Sequence, residues 1–253
     1  MSSENNFSGK VALVTGGGSG IGRAVCQVLA RDGARVSVCD LNVKSAEETV
    51  ESLKNPGDHI ALCMDVSQKE QVHDGLRITQ EKLKGTPTLL VNCAGIVRPA
   101  PFLEMTEERF MQVINVNLKG TFLVSQAVCK AMLERNEAKG GAVVNIASIT
   151  GRTGLANNGQ YAASKGGVMA FTKTCAKELA QTGIRVNCLM PGPIRTPLLA
   201  FPQEIIDEFV LKRNPLGRCG EPEEVAEMAA FLLSEKSSYF VGSCIEVTGG
   251  HDM

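Results

Sequence analysis

The 253-residue sequence has no tryptophan, two tyrosines and three histidines. His59, His73 and His251 are scattered and form no ligand cluster, so no metal centre is expected and each histidine reads as a surface residue. Nine cysteines are present, an odd number with no C-x-x-C pair, which argues against a disulfide framework or a dithiol motif. Most of them fall within apolar strand or helix patterns and read as buried free thiols of a reducing compartment. No apolar run approaches the ~20 residues that span a bilayer, so no integral membrane association is expected. Lys+Arg 26 against Asp+Glu 27 leaves a net charge of −1, which suits neither a nucleic-acid binder nor a polybasic membrane protein. Met1 to Gly9 is polar and lacks arginine, and reads as neither a secretory signal nor a cleavable presequence.

What is present is a regular alternation. Apolar runs at Lys10–Thr15, Arg35–Cys39, His59–Met64, Thr88–Val91, Gly141–Ala147, Ile184–Leu189 and Ser243–Val247 predict strands. Between them lie helical patterns over Gly20–Asp32, Val43–Leu53, Thr106 to about Arg135, Tyr161 to about Ala180, and Glu221–Leu233. Ser67 with Glu70 reads as a capping box for another helix, and Thr106 as a cap with Arg109 at its third position. Gly33 and Gly183 read as stops, and Pro87 is acceptable at a strand start. Nearly continuous apolar strands indicate a parallel sheet covered on both faces. With no linker or repeat, residues 1–253 are expected to form one doubly wound α/β domain of about seven parallel strands. Binding residues in such sheets lie just beyond the strand C-termini.

Gly16-Gly17-Gly18-Ser19-Gly20-Ile21-Gly22 joins the first strand to the first helix. Glycines let the backbone turn tightly and approach a pyrophosphate, and the helix N-terminus offers free N–H groups. Alone, the cluster fits an ordinary turn; at the start of an α/β chain it points to a dinucleotide. Asp40 ends the second strand, 24 residues after Gly16, followed by Leu41. A carboxylate there accepts the adenosine ribose hydroxyls and repels a 2′-phosphate. Ser19 is neutral where an arginine would favour NADP, so both residues point to NAD. The competing reading makes Asp40 a cap for the next helix. Asp65-Val66 and Asn92-Cys93-Ala94-Gly95 fall at the next two strand ends, where Asp65 suits the adenine edge and Ala94-Gly95 leave room for adenosine; they fit ordinary turns as well.

Tyr161 and Lys165 share one helix face at i and i+4. A phenol titrating near ~10 is a poor base at neutral pH. A neighbouring cation favours the phenolate, and Lys165 with a bound cationic cofactor is expected to bring it down. Ser148 ends the fifth strand and can bond a substrate oxygen across the cleft. The plain alternative is a surface Tyr and Lys on an ordinary helix.

Together these residues resemble the classical short-chain dehydrogenase/reductase family from about Lys10 to Gly250. The motifs are Thr15-Gly-x-x-x-Gly20-Ile-Gly22, Asn92-x-Ala-Gly95, Asn117 in Asn-Val-Asn-Leu-Lys-Gly, Ser148, Tyr161-x-x-x-Lys165 and Pro191-Gly-Pro-Ile194-Arg-Thr196. The resemblance implies a Rossmann domain and hydride transfer with a nicotinamide cofactor. It implies Tyr161 as general acid/base, with Lys165 lowering its pKa and holding the nicotinamide ribose. Ser148 polarises the substrate oxygen. Asn117 kinks its helix and holds a proton-relaying water, and Ile194 and Thr196 bind the carboxamide. Cys93 departs from the second Asn of many members.

Within the family the chain resembles the branch holding 17β-hydroxysteroid dehydrogenase type 8 and bacterial-type 3-oxoacyl-acyl-carrier-protein reductases. Cys39-Asp40-Leu41, Asn92-Cys-Ala-Gly-Ile96 and Glu246-Val-Thr-Gly-Gly lean toward the former. That branch implies a hydroxysteroid, or 3-hydroxyacyl and 3-oxoacyl thioesters of mitochondrial fatty-acid synthesis, and hence the mitochondrial matrix, with the cytoplasm as the alternative. It also implies a homotetramer, or a heterotetramer with a second family member. Leu198, Leu199, Phe201, Ile205, Ile206 and Phe209, within residues 198–213, read equally as a lid over a lipid-like substrate or as simple packing. Lys130, Arg135, Lys139 and Lys177 read as solvated helix faces, with an acyl-carrier-protein dock as the alternative. A polyol- or sugar-oxidising member and a non-catalytic NAD-binding subunit are the competing functions.

Overall fold

The computed structural model describes residues 7–199, 204, 206, 210 and 212–252. Its strands are β1 (Val11–Thr15), β2 (Arg35–Asp40), β3 (Ile60–Cys63), β4 (Pro87–Asn92), β5 (Ala142–Ile146), β6 (Arg185–Pro191) and β7 (Cys244–Val247). They form one seven-stranded sheet in the order β3-β2-β1-β4-β5-β6-β7, with every pair parallel. The described helices are α1 (Gly20–Arg31), α2 (Val43–Ser52), α3 (Lys69–Lys82), α4 (Glu107–Ile114), α5 (Thr121–Glu134), α6 (Thr150–Thr153), α7 (Gly159–Leu179) and α8 (Pro222–Leu233). The doubly wound parallel sheet expected from the alternation is therefore the observed architecture.

Successive strand residues feed opposite cores, as the two-residue period of a strand requires. Ala12, Val14, Val36 and Val38 pack with α1, α2 and α8. Leu13, Leu90, Val143 and Val186 pack with α3, α5 and α7. The chain winds outward from β1 to β3, then returns to place β4 on the other side of β1. That reversal opens a crevice beyond the C-terminal ends of β1 and β4.

One rung near those ends is polar. Thr15, Asn92, Asn145, Cys188 and Cys244 are register partners across β1, β4, β5, β6 and β7. Asn92 Nδ2 donates to Asn145 Oδ1 at 2.8 Å and to Ser125 Oγ at 2.9 Å, and Asn145 Nδ2 donates to Thr172 Oγ1 at 2.9 Å. This chain of buried bonds ties β4 and β5 to α5 and α7. Burying an amide without partners is costly, so the bonds also favour this register.

Several local expectations hold for visible reasons. Thr106 Oγ1 accepts from Arg109 N at 3.2 Å and starts α4. Gly33 and Gly183, at φ 96° and 90°, reverse the chain after α1 and after the turn that follows α7. The long helix after Thr106 is interrupted by a π segment, Asn115–Gly120, before α5 resumes.

Two expectations fail. Ser67 does not cap α3, which begins at Lys69 with Gln68 at its cap. Ser67 instead donates to Asp65 Oδ1 through both N and Oγ, because the nearer carboxylate closes a tight turn first. His59 is not a surface residue but is buried at the start of β3. Its Nδ1 accepts from Val36 N at 3.0 Å and its Nε2 lies 2.9 Å from Lys54 O, so both ring nitrogens are satisfied. His251 is also largely covered, while His73 is exposed.

Asn145→Ala removes the middle of the polar rung, taking one acceptor from the Asn92 amide and the donor from the Thr172 hydroxyl. The unfolding free energy is expected to fall by about 2–4 kcal/mol, read as a lower urea midpoint. A midpoint unchanged from the parent would show that the rung contributes nothing.

Candidate active site

The glycine turn sits at the mouth of the crevice and is packed too closely for side chains. A Cβ on Gly16 would lie 2.8 Å from the backbone of Ala94, and one on Gly22 would lie 2.1 Å from Gly16 O. A Cβ on Gly20 would meet Thr196 Cγ2 at 3.0 Å. Gly16, Gly20, Gly22, Ala94 and Thr196 are thus brought together, with Ile21 alongside in the first turn of α1. Thr15 Oγ1 accepts from Cys93 N and Ala94 N at 3.1 and 3.2 Å, clamping the Cys93–Gly95 segment across the turn. Ser19 is exposed at the N-terminus of α1 and its side chain caps nothing.

Asp40 is held at the edge of the turn. Oδ2 accepts from Gly18 N and Oδ1 from Asn42 N, both at 2.9 Å. The cap of α2 is Asn42, so the alternative reading of Asp40 as that cap is not what the structure shows. Each carboxylate oxygen keeps a free lone pair. Leu41 beside it is 70% exposed.

The remaining predicted residues divide. Ile194 is buried and paired with Gly220, which holds the loop carrying Thr196. Asp65 is engaged by Ser67, and Val66 is buried under Gly120, whose Cβ would come within 2.6 Å of Val66 Cγ2. The side chain of Asn92 is used inside the sheet, so only its backbone faces the strand end.

The other half of the site lies across β4, β5 and α7. Asn117, wholly buried in the π segment, accepts from Ile96 N at 2.9 Å and donates to Ile96 O and Ser164 Oγ, each at 3.1 Å. Lys165 is buried with Nζ donating to Ile146 O at 2.6 Å. A Cβ on Gly95 would be 3.5 Å from both Asn117 Oδ1 and Lys165 Nζ, so all three residues converge. Lys165 Nζ stands 5.7 Å from the centroid of the Tyr161 ring. Ser148 closes the group: its hydroxyl acts on the Tyr161 phenol and accepts from Thr150 N at 3.2 Å.

Burial dominates the electrostatics of the free protein. Burial pushes the Tyr161 phenol up, the Ser148 hydrogen bond pulls it down, and the nearby Cys93 thiol adds to the rise; the net direction is up. Burial also pushes Lys165 down to about 8. Desolvation opposes both charged forms and is the largest influence on each group. The free protein therefore holds Tyr161 as a neutral phenol.

Sequence reasoning missed the groups that hold the turn from behind. Arg23 Nη2 donates to Gly18 O at 2.6 Å, and Thr49 Oγ1 lies 2.9 Å from Gly17 O. Thr49 is buried on α2 and carries no sequence signal. Arg23 follows the glycine motif directly and was within reach of it.

A family model described as enoyl-(acyl carrier protein) reductase matches residues 16–252. The human (3R)-3-hydroxyacyl-CoA dehydrogenase is 43% identical over 98% of this chain and 97% of its own length. A 3-oxoacyl-acyl-carrier-protein reductase of Thermotoga maritima is 42% identical over 96% of this chain and 98% of its own. The crystal structure of a short-chain type dehydrogenase/reductase from Mycobacterium marinum superposes with a TM-score of 0.91 at 34% identity, covering 98% of this chain and 97% of that one. Levodione reductase follows at 0.88 and 35%, covering 96% and 98%. The chain belongs to the short-chain dehydrogenase/reductase family. It is an oxidoreductase with the nicotinamide-binding fold of that family.

Lys165 gives a pH test. Its folded pKa lies below its ordinary value of 10.5, so the unfolded chain binds more protons between about 8 and 10.5. Stability of the parent relative to Lys165→Met is expected to rise across that window, by on the order of 2–3 kcal/mol. Denaturant melts from about pH 7 to about pH 10 read it. A flat difference would mean that Lys165 titrates normally.

Proposed function

We propose that this protein is an NAD-dependent oxidoreductase that interconverts a secondary alcohol and a ketone on 3-hydroxyacyl and 3-oxoacyl thioesters. The observation that carries the reading is the convergence of Ser148, Tyr161 and Lys165 beside a glycine turn flanked by Asp40. The residues fit a dinucleotide. The turn admits no side chain where a diphosphate would pass, and Asp40 retains acceptor capacity for ribose hydroxyls. A carboxylate there opposes a 2′-phosphate, which supports NAD over NADP. Gly16, Gly18, Ser19, Gly20, Ile21 and Gly22 line the diphosphate side. Leu41, Asp65, Val66, Asn92, Ala94 and Gly95 would flank the adenosine, and Ile194 and Thr196 would hold the carboxamide.

When bound, the nicotinamide exchanges a hydride with the substrate carbon. Tyr161 Oη takes the alcohol proton during oxidation and returns it during reduction. Ser148 Oγ holds the same substrate oxygen. Lys165 places positive charge beside the phenolate as it forms and binds the nicotinamide ribose. Asn117 fixes the Ile96 backbone next to Lys165 and completes the route for protons to the ammonium.

The thioester assignment rests on the names of the human and Thermotoga relatives. Exposed Leu198 supports an apolar substrate at the same mouth. Hydroxysteroid oxidation, a homo- or heterotetramer and residence in the mitochondrial matrix belong to the same proposal and rest on the family branch. No described helix is long and apolar enough to cross a membrane. Lys130, Arg135, Lys139 and Lys177 are all exposed, as an acyl-carrier-protein dock would require.

Initial rates with a 3-hydroxyacyl-CoA, estradiol and a polyol, each with NAD and NADP, test the substrate class. NAD-linked turnover of the thioester is expected, and turnover of the polyol alone would overturn the reading. Tyr161→Phe should lower kcat by at least ~10²-fold. Asp40→Ala should narrow the NAD-over-NADP preference by about tenfold. An unchanged ratio would remove Asp40 from cofactor selection.

A further inference from the structure

A glycine turn binds a diphosphate only if its peptides point the right way. Glycine peptides flip at little cost, and a flipped one aims a carbonyl oxygen at the anion. Here two carbonyls are held away from the mouth by side chains outside the motif. Arg23 Nη2 donates to Gly18 O at 2.6 Å, a short charge-assisted bond. Arg23 Nε donates to Thr49 Oγ1 at 3.0 Å, and Thr49 Oγ1 lies 2.9 Å from Gly17 O and 3.0 Å from Ser45 O. Glu48, 3.6 Å from Arg23 Nη2, holds the guanidinium from the solvent side. On the amide side, Gly17 N donates to Cys39 O and Gly18 N to Asp40 Oδ2. The N–H groups of Ser19, Gly20 and Ile21 have no partner among the described residues. Those amides sit at the N-terminus of α1, where the helix favours an anion.

We propose that Arg23, acting through Thr49, is a positioning residue for the cofactor diphosphate: it locks the Gly17 and Gly18 carbonyls against α2, so that the Gly18–Ser19 peptide turns the Ser19 N–H toward the anion beside the free amides of Gly20 and Ile21. Arg23 touches neither the reacting atoms nor the substrate, so the lock acts on binding and not on the chemical step. The inference rests on the dinucleotide reading above and adds the residues that enforce it.

Titration calorimetry with NAD, ADP and adenosine, on the parent and on Arg23→Ala, Arg23→Lys and Thr49→Val, tests it. In Arg23→Ala the Kd for NAD and for ADP should rise about tenfold, with adenosine unaffected. The KM for NAD should follow, while kcat at saturating NAD stays near the parent value. Arg23→Lys should recover part of the affinity, since an ammonium can reach one carbonyl. Thr49→Val should show a smaller loss in the same direction, and it keeps the test open should Arg23→Ala fold poorly. Unchanged NAD and ADP affinity in the variants, or an equal loss for adenosine, would overturn the lock while leaving the cofactor reading intact. A parent protein that binds neither NAD nor ADP would overturn both.

Discussion

The site depends on burying one ammonium. Lys165 is 4% exposed and directs its Nζ at the carbonyl of Ile146, the last residue of β5. An ammonium withdrawn from water must find acceptors, and a strand-end carbonyl is a fixed one. Meeting that demand sets the packing around it. A Cβ on Gly151 would lie 2.7 Å from the Lys165 carbonyl carbon, so only glycine lets α6 lie so close to α7. Gly167 likewise admits Leu118 of the π segment, whose Cδ2 would be 2.8 Å from a Cβ there. The same segment delivers Asn117, whose bonds to Ile96 and Ser164 hold the far wall.

On the proposed function, this arrangement separates binding from chemistry along the sheet. Strands β1 and β2 carry the glycine turn and Asp40, while β5 and α7 carry Ser148, Tyr161 and Lys165. The polar rung through Asn92 and Asn145 joins the two halves and fixes their relative height. Burial gives the site its strong electrostatics but also opposes ionisation of both Tyr161 and Lys165. The free protein therefore stores a neutral phenol beside a cation that releases its proton readily. A further positive charge brought in with the oxidised cofactor would tip the balance toward phenolate.

Much of this was readable from residue patterns. Continuous apolar strands alternating with helical periods gave the parallel sheet, and turn residues at strand ends gave the crevice. Tyr161 and Lys165 were legible because i and i+4 share a helix face. What could not be read depended on contacts between distant segments. His59 looked like a surface residue, but the N–H of Val36 and the carbonyl of Lys54 bury it. Ser67 carried a cap signal that the nearer Asp65 outcompeted. Thr49 had no signal at all, since its partner lies 32 positions away. The rise of Tyr161 in the free protein comes from the loss of water around the phenol, which an i, i+4 spacing does not report. Phe201, Ile205 and Phe209 of the expected lid lie outside the described residues.

The protein offers a clean way to test the buried phenol. It has no tryptophan and only two tyrosines, and Tyr239 is fully exposed. In Tyr239→Phe, phenolate absorbance reports Tyr161 alone. Titration without cofactor should place its pKa above the ordinary value near 10, and saturation with oxidised NAD should move it down. A pKa already below that value in the free protein, or one that does not move when NAD binds, would contradict the account.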